Sequence, residues 1–264
     1  MLIRIGTRQS PLAVFQARQV ADLLNSHGHA TELVFVESLG DLDLNKPIYE
    51  LGVQGVFTKT LDAALLAGEI DLAVHSAKDV PTTAAQGLTV AAVLERDEPY
   101  DVCVARNQAC MEALQHENGP FIIATGSIRR RAQWLQKYPG SQLENLRGNI
   151  GTRLQKLFSS NWHGAIFSAA ALYRLGLVEE MGLHTIPLTW MLPAPAQGTI
   201  MIMGRSSDEL LLQQVALLNH HSTAYCIEAE RKTLKLLGGG CSTPVSALAQ
   251  IVGEKMFLKA GITA

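Results

Sequence analysis

An excess of either positive or negative residues is conspicuously absent from this 264-residue sequence: 22 Lys+Arg stand against 24 Asp+Glu, a formal net charge of −2. That balance excludes a chain that is basic throughout, the usual footprint of a nucleic-acid binder. Charged residues are also sparse, at 17%, while hydrophobic ones reach 47%, and this combination excludes intrinsic disorder. Aromatic residues make up 6%, and the basic residues have no interleaved aromatics on which bases could stack. No apolar run approaches the ~18 residues needed to span a bilayer. The opening MLIRIGTRQSP has no charged segment followed by an apolar one, so no secretory signal is visible. The four cysteines (Cys103, Cys110, Cys226 and Cys241) show no C-x-x-C spacing and no clustering with histidine, which argues against a zinc site. Reduced thiols in a cytoplasmic protein are the expectation. There is no fixed-period repeat and no low-complexity tract.

What is present is unevenly distributed. From residue 121 to residue 177 there are six Arg (129, 130, 131, 147, 153, 174) and two Lys (137, 156) against one acid, Glu144, a local charge of +7 that leaves −9 for the rest. Such asymmetry indicates a local anion site rather than a basic protein.

The length suits two domains with a short third. LIRIG reads as a buried strand, followed by Ser10-Pro11 as N-cap and first-turn proline of a helix reaching about Asn25. Its helical stripe is Leu12, Phe15, Gln16, Gln19, Val20, Leu23 and Leu24, and Gly28 ends it. Strands are expected over 31–37, 70–75 and 89–94, with a helix near 58–68. A second unit has strands over 102–105, 121–125, 142–146 and 164–168, with helices near 128–138 and 150–159. After a proline-containing crossover, TWMLPAPAQG, come the strand TIMIM, helices near 207–219 and 222–237, and a hairpin of 245–251 and 256–262 around Gly253. Strand–helix alternation of this kind predicts βαβ units and largely parallel sheets.

Three strand-to-helix junctions share one design: Ser10, Thr125-Gly126-Ser127 and Arg147-Gly148-Asn149 each open a helix. A helix N-terminus offers free N–H groups and partial positive charge, and Arg129 and Arg130 just inside one add bidentate donors. Each junction alone reads as ordinary capping; three in one chain point to a polyanion. His75-Ser76-Ala77-Lys78-Asp79-Val80-Pro81 leaves the carboxyl end of IDLAV, where open α/β sheets bind ligands. Lys78 and Asp79 are a solvated surface pair or a working pair, Asp79 then stabilising a developing cation or handling protons. His75 reads equally as a hydrogen-bonded core histidine. Cys241, in GGGCSTP, sits on a tight loop as an exposed thiol, while Cys103 and Cys226 suit apolar filling.

Taken together, GTRQSPLA, VHSAKDVPT, TGSIRRRAQ, LRGNIGTRL, LNHHSTA and GGGCSTP occur in the order found in the porphobilinogen deaminase (hydroxymethylbilane synthase) family, and the resemblance runs from residue 3 to about 250. It implies a transferase of tetrapyrrole (haem) biosynthesis that joins four porphobilinogen molecules head to tail, losing ammonia each time, to give hydroxymethylbilane. It implies an α/β fold: two periplasmic-binding-protein-like domains with mainly parallel sheets, plus a small, shortened α+β C-terminal domain. The matching division is 1–98 with 197–218, then 99–196, then 219–264. It further implies a dipyrromethane cofactor held by a thioether at Cys241, and Asp79 as the catalytic carboxylate. By the same resemblance Ser76, Lys78, Asp79, Thr125, Ser127, Arg129, Arg130 and Arg153 hold the cofactor, and Arg8, Ser10, Arg147, Arg153 and Arg174 surround incoming substrate. No metal, nucleic acid or membrane partner is implied, and the expected working unit is a monomer. Each pyrrole ring carries an acetate and a propionate, which gives the +7 block an anionic target.

The chain departs from the family pattern at Gln54, where a lysine is usual, and at Thr60, where a glutamate is. Ala196 stands for a glycine, and Met203 for a glutamate. The chain also ends sooner after Cys241 than the family's small domain does, as a natural short form or as a piece of a longer polypeptide would. Two other functions compete: a solute-binding protein of the same architecture, and an impaired paralogue that binds pyrroles without turnover.

Overall fold

The computed structural model describes residues 2–37, 58–116, 119–238 and 243–263. Three sheets organise them. The first has strand order β2-β1-β3-β10-β4, formed by β1 (Leu2–Thr7), β2 (Ala30–Phe35), β3 (Leu72–Ser76), β4 (Leu88–Val93) and β10 (Ile200–Arg205). The second has order β7-β6-β8-β5-β9, from β5 (Asp101–Ala105), β6 (Ile122–Ala124), β7 (Gln142–Glu144), β8 (Gly164–Ser168) and β9 (Thr185–Pro187). A separate antiparallel hairpin joins β11 (Val245–Val252) to β12 (Lys255–Ile262).

The βαβ reading accounts for the parallel pairings β1–β2, β1–β3, β6–β7 and β6–β8. Both large sheets are nevertheless mixed. The return strand β10 runs antiparallel to β3 and β4, and β5 runs antiparallel to β8 and β9. These strands link the two halves rather than close local βαβ units, so periodicity carried no sign of their direction. The short strand β9 and the helices α3 (Gln108–Gln115), α6 (Ala169–Arg174) and α7 (Leu177–Glu180) were also not foreseen.

Helix α1 (Pro11–Ser26) begins as its sequence dictates: the Ala13 N–H donates to Ser10 Oγ at 3.4 Å, and Pro11 occupies the first turn. Its buried face is one position away from the expected stripe. Ala13, Gln16, Ala17, Val20, Ala21 and Leu24 are buried, while Phe15 is exposed. The alanines let the helix lie close on Ile3, Ile5, Leu72 and Val74 of the sheet, and this close approach outweighs the larger side chains in choosing the face. Helices α2 (Lys59–Leu66) and α8 (Glu209–Val215) complete the cover of the first sheet. Helices α4 (Ile128–Lys137) and α5 (Ile150–Phe158) serve the second, α4 burying Trp134 and α5 burying Leu154 and Leu157.

Two crossovers connect the sheets, and they lie side by side: Asp97 N–H donates to Gly198 O at 3.1 Å and Leu94 N–H to Ile200 O at 3.0 Å. Against them packs α9 (His221–Leu236), whose Glu230 is 0% exposed. That carboxylate takes both guanidinium nitrogens of Arg96 (2.7 and 2.9 Å), the N–H of Ala196 (2.6 Å) and the N–H of Ala249 in β11 (2.7 Å). One side chain thereby ties the first sheet's exit strand, the crossover and the hairpin. Ala196 itself has φ +62°, the left-handed region that favours glycine, consistent with its standing where a glycine is usual.

Candidate active site

The carboxyl ends of β1 and β3 face those of β6 and β8 across a cleft of about 280 Å³. From the first sheet come Arg8, Ser10, Ser76, Lys78 and Asp79; from the second come Arg130, Arg147, Arg153 and Arg174; Gly198 and Thr199 of the crossover complete the wall. Asp79 is the single acid among the described lining residues. A larger, shallower groove of about 820 Å³ lies between α4 and β12, but Arg131 is the one charged residue among its described lining, and its guanidinium is bonded to Leu143 O. The smaller cleft is where chemistry-bearing groups converge.

Local structure explains their delivery. β3 ends at Ser76, a single 3₁₀ turn spans Ala77–Asp79, and the antiparallel register of Ile200 with Ser76 brings Thr199 alongside, where its carbonyl accepts the Ala77 N–H at 2.9 Å. Across the cleft, Asn149 caps α5 by accepting the Thr152 N–H at 2.9 Å. Gly148 before it has φ +111°, and a Cβ there would lie 2.8 Å from Thr152 Cγ2, so the turn that exposes Arg147 and Arg153 needs glycine. Ser127 Oγ accepts the Arg130 N–H at 3.4 Å and opens α4 as its sequence indicates.

The cations crowd one another. Burial lowers the Arg153 pKa to about 10, with Arg130 and Arg147 adding repulsion and Asp79 opposing it. Lys78 opens onto the cleft, yet the surrounding protein strips enough water to lower its pKa to about 8; Asp79 and Asp101 work against the fall, Arg130 and Arg129 with it. Arg147 is 9% exposed and its Nη1 has no hydrogen-bond partner. A buried, unpaired guanidinium donor in a cation-rich cleft is a built demand for an anion.

Not every arginine of the +7 block serves that cleft. Arg129 donates to Leu192 O at 2.8 Å and to Asp101 Oδ2 at 2.7 Å, and it does not line the cleft. Arg130 reaches the cleft wall but shares Asp101 through Oδ1 at 2.7 Å. Burial alone would raise the Asp101 carboxyl; the charges and hydrogen bonds of Arg129 and Arg130 hold it far below the ordinary carboxylate range. Thr125 is buried with its hydroxyl accepting the Ser127 N–H, and neither residue lines the cleft. Arg174 is turned toward Asp97 (2.7 Å) and Gly198 O (2.7 Å) at the cleft edge. Ser76 bonds Gln16 at 3.0 Å. His75 is buried with Nε2 unpartnered, and burial, helped by Arg8, lowers its pKa to about 4, so it is neutral at ordinary pH. Cys241 and Gln54 lie outside the described residues. Met203 is buried in β10, and Thr60 Oγ1 in α2 is buried without a partner. Cys103, Cys110 and Cys226 are buried free thiols, and burial pushes Cys103 up to about 12.

Sequence reasoning missed Gln197 and Asp101. Gln197 is 1% exposed, and its amide is fully committed: Nε2 donates to Pro99 O and Asp101 Oδ1, both at 2.8 Å, so Oε1 must face Lys78 Nζ at 3.3 Å. The available signal was an aspartate heading the apolar strand DVCVA. A charge there needs buried partners. Among the described residues no group of His, Cys, Asp or Glu could hold a metal ion, and no helix is long and apolar enough to cross a membrane.

Comparison with known proteins bears on this geometry. The family model described as "Porphobilinogen deaminase, dipyromethane cofactor binding domain" matches residues 3–213, and "Porphobilinogen deaminase, C-terminal domain" matches residues 224–264. A chloroplastic porphobilinogen deaminase of Oryza sativa subsp. japonica is 39% identical over 254 residues, covering 94% of this chain and 70% of that protein. A porphobilinogen deaminase of Pelotomaculum thermopropionicum is 40% identical over 259 residues, covering 97% of this chain and 82% of that one. Among solved structures, an amino acid ABC transporter substrate-binding protein, AbpA of Streptococcus pneumoniae, is similar with a TM-score of 0.43 at 12% identity, covering 90% of each chain.

Proposed function

The chain belongs to the porphobilinogen deaminase family, and from that premise we propose how its residues divide the work of the family's reaction. The activity is that of a transferase condensing four porphobilinogen molecules head to tail, with loss of ammonia, into hydroxymethylbilane. A dipyrromethane cofactor, when bound, supplies the pyrrole terminus to which the first substrate is joined.

The cleft residues fit such a group, because Arg147 leaves a buried donor unpaired, and Lys78 and Arg153 have their pKa values lowered by loss of water, with neighbouring arginines adding to the fall and Asp79 opposing it. Ser76, Lys78, Arg130 and Arg153 hold its carboxylates directly. Thr125, Ser127 and Arg129 act one layer behind, by shaping the start of α4 and anchoring Asp101. Cys241 carries the thioether. Arg8, Ser10, Arg147 and Arg174, with Arg153 shared, orient the acetate and propionate of the incoming substrate. The Asp79 carboxylate, single in a basic wall, stabilises the positive charge that develops on the pyrrole when ammonia leaves, and accepts or steers the pyrrole N–H proton. It acts without forming a bond to carbon.

Residues 1–98 with 197–218, 99–196 and 219–264 form three domains in this reading; the inclusion of β10 in the first sheet supports the discontinuity of the first. A cytoplasmic monomer acting on a small molecule, with no nucleic-acid partner, completes the proposal. A single chain supplies both walls of the cleft, and its three described cysteines are free thiols. Binding without turnover is not favoured, since the relatives that match nearly the whole chain carry the enzyme's name.

The observation that carries the reading is one acid set among six cations in a cleft with an orphaned arginine donor. Incubation with porphobilinogen followed by intact mass measurement tests it. Two pyrrole units added at Cys241, and a positive Ehrlich colour, are expected. Absence of any increment would refute it.

A further inference from the structure

The turn that presents Asp79 is poorly supported by its own backbone. It is three residues of 3₁₀ helix with one internal bond, Val80 N–H to Ala77 O at 3.3 Å, and Pro81 after it has no N–H to give. Its support comes from elsewhere in the chain. Arg231, on α9, donates through Nη2 to Pro81 O at 2.6 Å, and through Nη1 to Val80 O at 2.9 Å and Ala77 O at 3.4 Å. One planar guanidinium thus bridges carbonyls on both sides of Asp79. Carbonyls, not carboxylates, are its hydrogen-bond partners among the described residues.

The base of this clamp is itself fixed. The preceding residue, Glu230, is locked by Arg96, Ala196 and Ala249, so α9 cannot slide relative to the crossover. Farther along, the same helix ends at Leu236, a few residues before Cys241. We infer that Arg231 is a positioning residue for Asp79: it sets the turn's height in the cleft and ties that height to the domain bearing Cys241. The inference rests on the reading of Asp79 as the catalytic carboxylate. A lysine could not reproduce the clamp, because a single ammonium lacks the fork that spans three carbonyls.

The test uses the full chain and compares Arg231→Met, Arg231→Lys, Asp79→Asn and the Arg231→Met/Asp79→Asn double variant. Rates are normalised to the fraction of protein carrying cofactor by intact mass. A carboxylate displaced by a fraction of an ångström costs turnover rather than affinity. Arg231→Met should therefore lower kcat roughly 10- to 100-fold with KM for porphobilinogen nearly unchanged. Arg231→Lys should fall between it and the parent, and the double variant should be no slower than Asp79→Asn alone. A merely structural arginine would reduce the loaded fraction and leave the normalised kcat intact; that result overturns the inference, as do losses that multiply in the double variant. Should Arg231→Met fail to load, Arg231→Lys decides: a severalfold loss of kcat at constant KM supports the clamp, and parental kcat overturns it. Full turnover in Asp79→Asn would instead refute the underlying role of Asp79, and the clamp with it.

Discussion

Replacing Glu230 by glutamine changes one oxygen for an amide nitrogen, and the structure says what that costs. Four donors converge on the two carboxylate oxygens: Arg96 Nη1 and Ala249 N–H on Oε1, Arg96 Nη2 and Ala196 N–H on Oε2. A glutamine amide group must face one of these pairs as donor to donor, leaving a guanidinium N–H and a backbone N–H unsatisfied. The Arg96 side chain is 11% exposed and Glu230 is wholly buried, so the loss includes an unpaired buried charge, about 3–5 kcal/mol. The orphaned backbone donor adds to this, by roughly 1–3 kcal/mol if fully desolvated, though the two losses overlap. Against a typical total of about 5–15 kcal/mol, Glu230→Gln should be severely destabilised. Urea unfolding should show a midpoint shift equivalent to at least about 3 kcal/mol. Amide exchange at Ala249 and Ala196 should lose protection before the rest of the sheets. Adding Arg96→Met should restore part of the stability by removing the stranded charge, but not all of it, because one backbone donor still faces the glutamine amide nitrogen. A shift below about 1 kcal/mol, or unchanged protection at both amides, would refute the view that this carboxylate joins the hairpin to the crossover.

Arg147→Met removes a guanidinium whose buried Nη1 has no partner among the described residues, so thermal stability should hold or rise while KM for porphobilinogen increases roughly 10- to 100-fold, the worth of one charged hydrogen bond; steady-state kinetics with a melting curve check both. Lys78, with its pKa lowered to about 8, loses its charge within an accessible range: cofactor loading of cofactor-free protein, read by intact mass, should fall as pH passes from 8 to 9, and Lys78→Met should flatten that fall. The stability sign for Lys78 is opposite, since a folded pKa below the ordinary 10.5 means its charge is a cost below pH 8 that is relieved toward pH 10.5. Asp71 would be raised by burial, but hydrogen bonds from Arg4 and Arg205 lower its pKa to about 2. Its stabilisation is therefore present above about pH 4 and lost as pH falls toward 2. Asp71→Asn should lower the melting temperature at pH 7 and make no difference near pH 2.

Much of the fold could be read from local pattern. Ser10-Pro11, Ser127 and Asn149 cap the helices they were expected to cap, and the hairpin turns at Gly253. Capping and periodicity depend on residues within about one helical turn, which the sequence displays directly. The direction of β10 and β5 was not legible, because it is set by where the chain returns after about a hundred residues. The buried stripe of α1 was shifted for a similar reason. Phe15 is the more hydrophobic side chain, but the sheet accepts the alanine face because small residues let the helix lie close enough for its Gln16 to reach Ser76.

The cleft shows the same division between near and far. The residue types and the +7 block were visible in one dimension: a run of arginines at helix starts, an aspartate at a strand's end. Their electrostatic duties were not. Arg129 and Arg130 sit side by side in sequence, yet both pair with Asp101, and only Arg130 also lines the cleft; that assignment depends on a carboxylate 28 and 29 positions away. Gln197 meets Lys78 across 119 positions, and Arg231 reaches Pro81 across 150. One-dimensional pattern is enough to show a chain that gathers cations and to identify the family whose motifs it bears. Which of those cations stay unpaired to meet an anion follows from the folded arrangement, because burial, desolvation and ion pairing are properties of what surrounds a group in space.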